Sequence, residues 1–294
     1  MRDRPVTVSN PDKVFFPVDG ITKADVVGYY AEVADRMLPF VVHRPLTIQR
    51  FPDGIEGEGW LQKNAPDYYP PSIGRLAVPK AGGTTTYPVI TDRHGLLYLA
   101  DQGAITFHVP PVLADDLVHP DVMIFDLDPP PNATALVRSA AYAIEATLDD
   151  LGLPSYPKTT GSKGYHVHVF TERQLRNDAF ASTAKAIAET AVGQHPELLT
   201  IEIHKDKRGG RVFVDWLRNR FPSTSVAPYS LRPKPHAPVA APLRWEEVRD
   251  VAPTGITLRT ISARLEGPDP WAHHRRVPIA PVADALGIDR SAGR

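Results

Sequence analysis

Val122-Met-Ile-Phe-Asp-Leu-Asp-Pro-Pro130 is an apolar run that ends in two carboxylates and two prolines. Side chains alternate between the faces of a strand, so Asp126 and Asp128 point the same way. Two carboxylates a few ångströms apart repel each other unless a cation lies between them. Hard divalent ions take oxygen ligands of this kind. Pro129 and Pro130 have no N–H to give a ladder, so they end the strand at once. The acids are therefore expected at a strand's exit, at the edge of a sheet, where α/β proteins place their chemistry. A capped strand end on the surface has the same residue pattern, and the triplet alone leaves both readings open.

The rest of the chain narrows the classes. It has 294 residues, 42% hydrophobic and 23% charged, the proportions of a folded globular protein. Its 31 prolines predict rigid turns and long ordered loops rather than a helix bundle. The absence of cysteine excludes disulfides, thiolate zinc sites and a thiol nucleophile. Met1-Arg-Asp-Arg-Pro5 has no apolar signal core and no run is long enough to span a membrane, so a cytoplasmic protein is expected. The net charge is −1, yet Ile201 to Lys234 is locally basic. Lys205, Lys207, Arg208, Arg211, Arg218, Arg220, Arg232 and Lys234 stand there against Glu202, Asp206 and Asp215. Such a stripe is either a solvated charged face or a surface that meets phosphates.

Taken in order, Val6 to Asn10 reads as a short strand, followed by a loop to Pro17. Thr22, with Asp25 three residues on, predicts a capped helix. Val26, Val27, Tyr30, Val33, Ala34 and Met37 form that helix's apolar stripe. Pro45 to Phe51 alternates like a strand, and a glycine- and glutamate-rich loop from Gly54 to Gly59 leads to Trp60. Thr84 to Ile90 and Ala104 to Val109 read as strands, with a helix over Gly95 to Gln102. Asn132 or Thr134 is expected to cap a helix that runs to Leu151 and closes at Gly152. Strands follow at Tyr156 to Thr160 and Tyr165 to Phe170, then an alanine-rich helix from Asp178 to Val192. Further strands are expected at Ile201 to Ile203 and Arg211 to Leu217. Short helices are expected at Trp245 to Arg249 and Leu258 to Leu265, and the polar tail is expected to fray. Strands and helices mix without strict alternation, which predicts an α/β protein of the mixed α+β kind, a mixed central sheet flanked by helices. The expected division is an N-terminal α/β module over residues 1–110, a catalytic core over 111–270 and a tail over 271–294, packed as one unit.

Asp215 lies in the apolar run Val212-Phe-Val-Asp-Trp-Leu217 and needs a partner there. Arg218 or Arg220 supplies one in the simplest case. A metal shared with Asp126 and Asp128 is the sharper possibility, since three carboxylates on two strands suit two-metal chemistry. Gly161-Ser-Lys-Gly164 lacks the spacing of a Walker loop. It is a hairpin turn, or beside a metal site a nest for phosphates. His166 and His168 share a strand face, but oxygen ligands suit Mg²⁺ or Mn²⁺ better, so ordinary buried histidines are expected. His108 ends an apolar strand and is either a core histidine or a nucleotide contact. Trp60 is either core or an exposed ring that stacks on a base beside Lys63. Lys13 and Lys23, taken singly, read as ordinary surface lysines.

Asp-Leu-Asp-Pro at 126–129, Thr-Thr-Gly-Ser-Lys-Gly-Tyr-His at 159–166 and Arg-Val-Phe-Val-Asp-Trp-Leu-Arg-Asn at 211–219 resemble the three motifs of archaeo-eukaryotic primases. Ala-Pro-Tyr-Ser-Leu-Arg at 227–232 and Ala-Pro-Val-Ala-Ala-Pro-Leu-Arg-Trp at 237–245 are similar to the polymerase domain of bacterial ligase D. The resemblance runs from about Val6 to about Leu265. It implies a primase-like core and a template-directed nucleotidyltransferase that extends primers or fills gaps at DNA ends in non-homologous end joining, with ribonucleotides preferred. It implies two Mn²⁺ or Mg²⁺ ions on Asp126, Asp128 and Asp215, and a triphosphate loop of Thr160, Ser162 and Lys163. Arg208, Arg232 and His108 match nucleotide contacts. Asn10, Lys13 and Lys23 match positions that hold a 5′-phosphate, and Trp60 with Lys63 is expected on the DNA.

Three departures stand out. Thr160 replaces a serine and keeps its hydroxyl. Trp60-Leu61 replaces a pair of phenylalanines that packs on the template. Gln49 replaces a lysine near the triphosphate, with Arg50 following. No ligase motif is present and no cysteine-bound cluster is possible. A stand-alone polymerase is therefore expected, with primer extension ahead of de novo priming. Its expected partners are DNA ends, NTP or dNTP, a DNA ligase and a Ku-like end-binding protein, near the nucleoid. The same acids also serve water attack, so a metal-dependent nuclease or phosphohydrolase is one rival, and a non-catalytic DNA-end-binding scaffold is another.

Overall fold

The computed structural model describes residues 7–290. The expected first strand begins at Val6, outside those residues, as do 291–294 of the expected tail. Thr7 and Val8 carry no regular structure. The Ser9 N–H donates to Asp101 Oδ1 at 2.8 Å rather than to a ladder, which is why no strand forms.

The chain divides into two compact units that are not consecutive segments. The first comprises the described residues up to Val109, with Ser225–Ala240 and Ile256–Pro268. It opens with a small pair, β1 (Val14–Phe16) and β2 (Ile21–Thr22), and α1 (Lys23–Val41). The predicted capping box is present: Thr22 accepts from the Asp25 N–H while Asp25 accepts from the Thr22 N–H. All six residues of the predicted stripe are buried. β3 (Thr47–Arg50), β4 (Trp60–Gln62), β5 (Gly74–Lys80), β6 (Gly83–Val89), α2 (Arg93–Asp101) and β7 (Ala104–Val109) follow. A four-stranded antiparallel sheet runs in the order Ser225–Val226, β7, β3, β4. β5 and β6 form a separate hairpin, of which the sequence predicts only the second strand. Pro79 conceals the first, and no residue of that strand is buried to show a core-facing side. Tyr29 Oη donates to the Tyr229 carbonyl at 2.6 Å, and Tyr30 Oη accepts from the Leu231 N–H at 3.1 Å. Those two bonds fasten a segment two hundred residues downstream to α1.

The second unit comprises Pro110–Thr224, Ala241–Gly255 and the described residues from Asp269. It contains β8 (Val122–Asp128), α3 (Thr134–Asp150), β9 (Tyr156–Thr159), β10 (Tyr165–Phe170), α4 (Asn177–Gln194), β11 (Leu199–Thr200) and β12 (Val212–Asp215). The sheet order is β11-β12-β8-β10-β9, mixed, with only β11–β12 parallel. α3 and α4 pack on this sheet and on each other.

Four expectations change. β8 is the central strand, not an edge, although the acids do stand at its carboxyl end. Neither Asn132 nor Thr134 caps α3: the N-cap is Ala133 without a side-chain bond, and Asn132 instead takes a left-handed φ of 58°. Ile201–Ile203 is not a strand, because the carbonyls of Glu202 and Ile203 accept from the Arg208 guanidinium and Leu199–Thr200 takes the ladder instead. The tail does not fray within the described residues. Trp271 is buried, and Gln174 Oε1 accepts the N–H groups of Ile279 and Ala280 to start a helix over Ala280–Ala285.

Candidate active site

The site lies on the second unit's sheet. Met123, Phe125 and Leu127 are buried on one face of β8, so Ile124, Asp126 and Asp128 alternate onto the other. Register then builds a rung across four strands. Lys158 stands opposite His166, His166 opposite Asp126, and Asp126 opposite Asp215. Directly opposed residues share a face, so the three acids lie together, with Asp128 one step along opposite Phe213.

Each acid has a cationic or imidazole neighbour. Arg208 Nη1 donates to Asp128 Oδ2 at 2.8 Å, with its guanidinium 4.1 Å from the Phe213 ring centroid. Arg218 Nε lies 3.2 Å from Asp215 Oδ2, and the Leu217 N–H donates to Asp215 Oδ1. His166 Nε2 is 3.4 Å from Asp126 Oδ1. Burial pushes the Asp126 carboxyl up, but His166, Arg218 and Lys158 outweigh it, and the carboxyl is held below its ordinary value. For Asp215 burial wins, helped by Asp126 and Asp128 and opposed by Arg218, and the carboxyl is raised. The raised Asp215 carboxyl, buried and crowded by Asp126 and Asp128, is the acid on this face that a further positive charge would favour.

The donor chemistry fits Mg²⁺ or Mn²⁺: carboxylate oxygens on adjacent strands of one face. Asp128 and Asp215 turn to their arginines, and among the described residues no three His, Asp or Glu side chains form a ready ligand set.

The predicted phosphate turn abuts these acids. The Thr160 hydroxyl donates to the Gly164 carbonyl at 2.8 Å and accepts from the N–H groups of Ser162 and Gly164. Thr160 therefore closes the turn, while Lys163 at its tip is exposed. Gly164 is required by space, since a Cβ there would lie 1.8 Å from the Leu127 carbonyl oxygen of β8. That close approach holds the turn against the strand that carries the acids. Asp128, Lys163, Lys205, Arg208 and Arg211 line a hollow of about 160 Å³, four cations around one carboxylate.

The other predicted residues belong to the first unit. His108 is half-buried on β7, and Arg232 is half-buried with its N–H donating to the Pro238 carbonyl. The basic stripe thus divides, with Arg232 and Lys234 in the first unit and the other six in the second. Asn10 and Lys13 line an open hollow, and Lys13 pairs with Asp53. Lys23 is not a surface lysine: it is 6% exposed, 2.9 Å from Asp101, and donates to Ser9 Oγ at 2.6 Å. Its place at the first turn of α1 points it at the end of α2. Trp60 is not core: it is 44% exposed, and Lys63 is exposed near it in sequence.

Sequence reasoning passed over three residues. Asn219 is fully buried and bonds both the N–H and the C=O of Ile124, two residues before Asp126. His166, expected as an ordinary buried histidine, is buried, and it also stands directly beside Asp126. Tyr68, 61% exposed, carried no signal beyond being aromatic.

Residues 22–271 match the family described as LigD, primase-polymerase domain. The multifunctional non-homologous end joining protein LigD of Mycolicibacterium smegmatis is 37% identical over 293 residues, which cover 97% of this chain and 38% of that protein. The bifunctional non-homologous end joining protein LigD of Bacillus subtilis is 34% identical over 263 residues, 87% of this chain and 41% of that protein. The chain therefore spans about two fifths of the length of these relatives. The polymerase domain from Mycobacterium tuberculosis ligase D, solved in complex with DNA, superposes with a TM-score of 0.83 at 34% identity. That superposition covers 90% of this chain and 95% of the domain.

Proposed function

The chain belongs to the LigD primase-polymerase family, an enzyme family of nucleotidyltransferases, and from that premise we propose that it extends DNA primer ends opposite a template, filling gaps in breaks repaired by non-homologous end joining. One observation carries the reading. Asp126, Asp128 and Asp215 share a sheet face, and the hollow beside Asp128 gathers Lys163, Lys205, Arg208 and Arg211. Three acids beside four cations suit a reaction whose substrate is a polyanion.

Two Mn²⁺ or Mg²⁺ ions on Asp126, Asp128 and Asp215 would neutralise charge at the α-phosphate and favour ionisation of the primer 3′-hydroxyl. Lys163 and Arg208 hold the triphosphate through charge-assisted bonds, together with the N–H groups and Ser162 hydroxyl of the turn that Thr160 closes. His108 and Arg232 contact the nucleotide. Asn10, Lys13 and Lys23 hold the 5′-phosphate of the break, and Trp60 and Lys63 meet the template. Ribonucleotides are preferred. A ligase and a Ku-like end-binding protein are the partners that a gap-filling step requires.

The test is incubation of the purified protein with a gapped, 5′-phosphorylated duplex, Mn²⁺, and NTPs or dNTPs. Templated addition at the 3′ end, faster with NTPs, is expected. Shortening of the DNA without nucleotide would replace the polymerase with a nuclease, and tight end binding with neither reaction would leave a scaffold.

A further inference from the structure

Trp60 and Tyr68 are large aromatic side chains of the first unit left exposed, at 44% and 61%. Rings left so far in water contribute little to the core, and both rest on the same buried cation. Arg50 is 7% exposed. The β3–β7 register shifts between Gln49 and Arg50, and such an irregularity re-aims the side chain that follows it. Arg50 then stands opposite Trp60 on β4 with its guanidinium 5.3 Å from the indole centroid. Its Nε donates to the Gln102 carbonyl at 2.8 Å. Its Nη1 donates to Gln62 Oε1 at 2.8 Å and to Tyr68 Oη at 2.9 Å. Gln62 Nε2 in turn donates to Tyr69 Oη at 2.9 Å, and Tyr69 meets Tyr68 edge-on at 5.3 Å. Two exposed rings are therefore held by one planar fork and a second layer of side chains. Leu61 takes no part, because it stands opposite Gln49 and alternates to the other face.

We propose that Tyr68, with Arg50 as the positioning residue, adds a second stacking ring beside the Trp60 already assigned to the template, so that the two rings together take unpaired bases of a single-stranded DNA segment. This rests on the DNA-end reading above and adds to it a second aromatic contact and the residue that fixes both rings. The chemistry selects the occupant. Aromatic faces with interleaved cations take bases of any sequence. Arg50 places a positive charge beneath the rings, which repels the cationic ligands that aromatic cages otherwise accept. Exposed Lys63 and Arg75 belong to the same stretch and suit a polyanion.

The experiment compares a duplex carrying a 3′ overhang with a blunt duplex, using 2-aminopurine in the unpaired segment to report stacking. The expected wild-type result is tighter binding of the overhang with quenched 2-aminopurine. Tyr68→Ala is expected to weaken overhang binding by about five-fold or more and to relieve the quench, with blunt-duplex affinity unchanged. Tyr68→Phe keeps the ring and loses only the bond to Arg50, so it is expected to fall between. Arg50→Lys keeps the charge without the fork and is expected to lose the overhang preference. If it does not fold, the Tyr68 variants decide, because an exposed ring can be removed without opening the core. A wild type that prefers the overhang and a Tyr68→Ala variant that matches it in affinity and quench would overturn the platform. A wild type that binds both duplexes alike, without the quench, would also overturn the platform, and one that binds neither would overturn the DNA-end reading itself.

Discussion

Asn219 completes β8 at a point where β12 has already turned away. Its Oδ1 accepts from the Ile124 N–H at 2.7 Å, and its Nδ2 donates to the carbonyls of Ile124 and Trp216 at 2.8 Å. Asn219→Ala would leave buried peptide groups without partners beside the acids. A stability loss on the order of 3 kcal/mol is expected, read as a lower Cm in urea. Glu145 offers a pH-dependent counterpart. Burial, then Asp149 and Glu246, push its carboxyl up to about 7. A folded-state value above the unfolded one means that the native chain binds the extra proton, so this residue's contribution to stability falls as pH rises from about 4.5 to about 7. Glu145→Gln is expected to raise stability at pH 8 by an amount on the order of 1 kcal/mol after solvent screening, read as a higher melting temperature, and to change nothing at pH 4. An equal gain at both values would contradict the assignment. At this scale the acids were legible because carboxylates inside apolar runs are conspicuous. Asn219 was legible only as a letter of a motif, since its partner lies 95 residues away. Lys23 was misread because a lysine at a helix start looks exposed until the far end of α2 supplies Asp101.

The elements were read best where one local rule sufficed. The Thr22 box and the stripe of α1 follow from spacing alone, and Thr22→Ala is expected to destabilise the chain by about 1 kcal/mol. Strand order was not legible, because the place of β8 between β10 and β12 depends on partners 40 to 90 residues away in sequence. The hairpin of β5 and β6 was half read because proline argues against a strand until the edge is seen. The Gly161–Gly164 turn shows how an element carries function. With a Cβ at Gly164 only 1.8 Å from the Leu127 oxygen, Gly164→Ala must push the turn off β8. It is expected to abolish nucleotide binding, measured by calorimetry, in a chain that still melts cooperatively. Wild-type nucleotide affinity in that variant would show that the turn's seat on β8 does not matter.

At the scale of the whole molecule, the sequence does not reveal that residues 225–240 and 256–268 return to the first unit, because tertiary contacts of Tyr29 and Tyr30 decide it. No helix among the described residues is long and apolar enough to cross a membrane. The two lysines proposed for the 5′-phosphate differ in kind. Lys13 is 39% exposed at its side chain and its pair with Asp53 is solvated, whereas Lys23 and Asp101 are 8% and 10% exposed. Lys13→Ala is therefore expected to lower the preference for 5′-phosphorylated ends without changing stability. Lys23→Ala is expected to lower both, by about 3 kcal/mol in stability, since it strands a buried carboxylate. Equal melting curves for the two variants would contradict that difference.

The most direct measurement is the rate of templated nucleotide addition by Asp126→Asn against wild type, on one gapped, 5′-phosphorylated duplex in Mn²⁺, with both proteins shown to melt alike. If the Asp126, Asp128 and Asp215 face is the site of nucleotidyl transfer, the variant is expected to lose at least about a thousand-fold in rate, several kcal/mol of barrier. A variant that extends the primer at the wild-type rate would place the chemistry elsewhere.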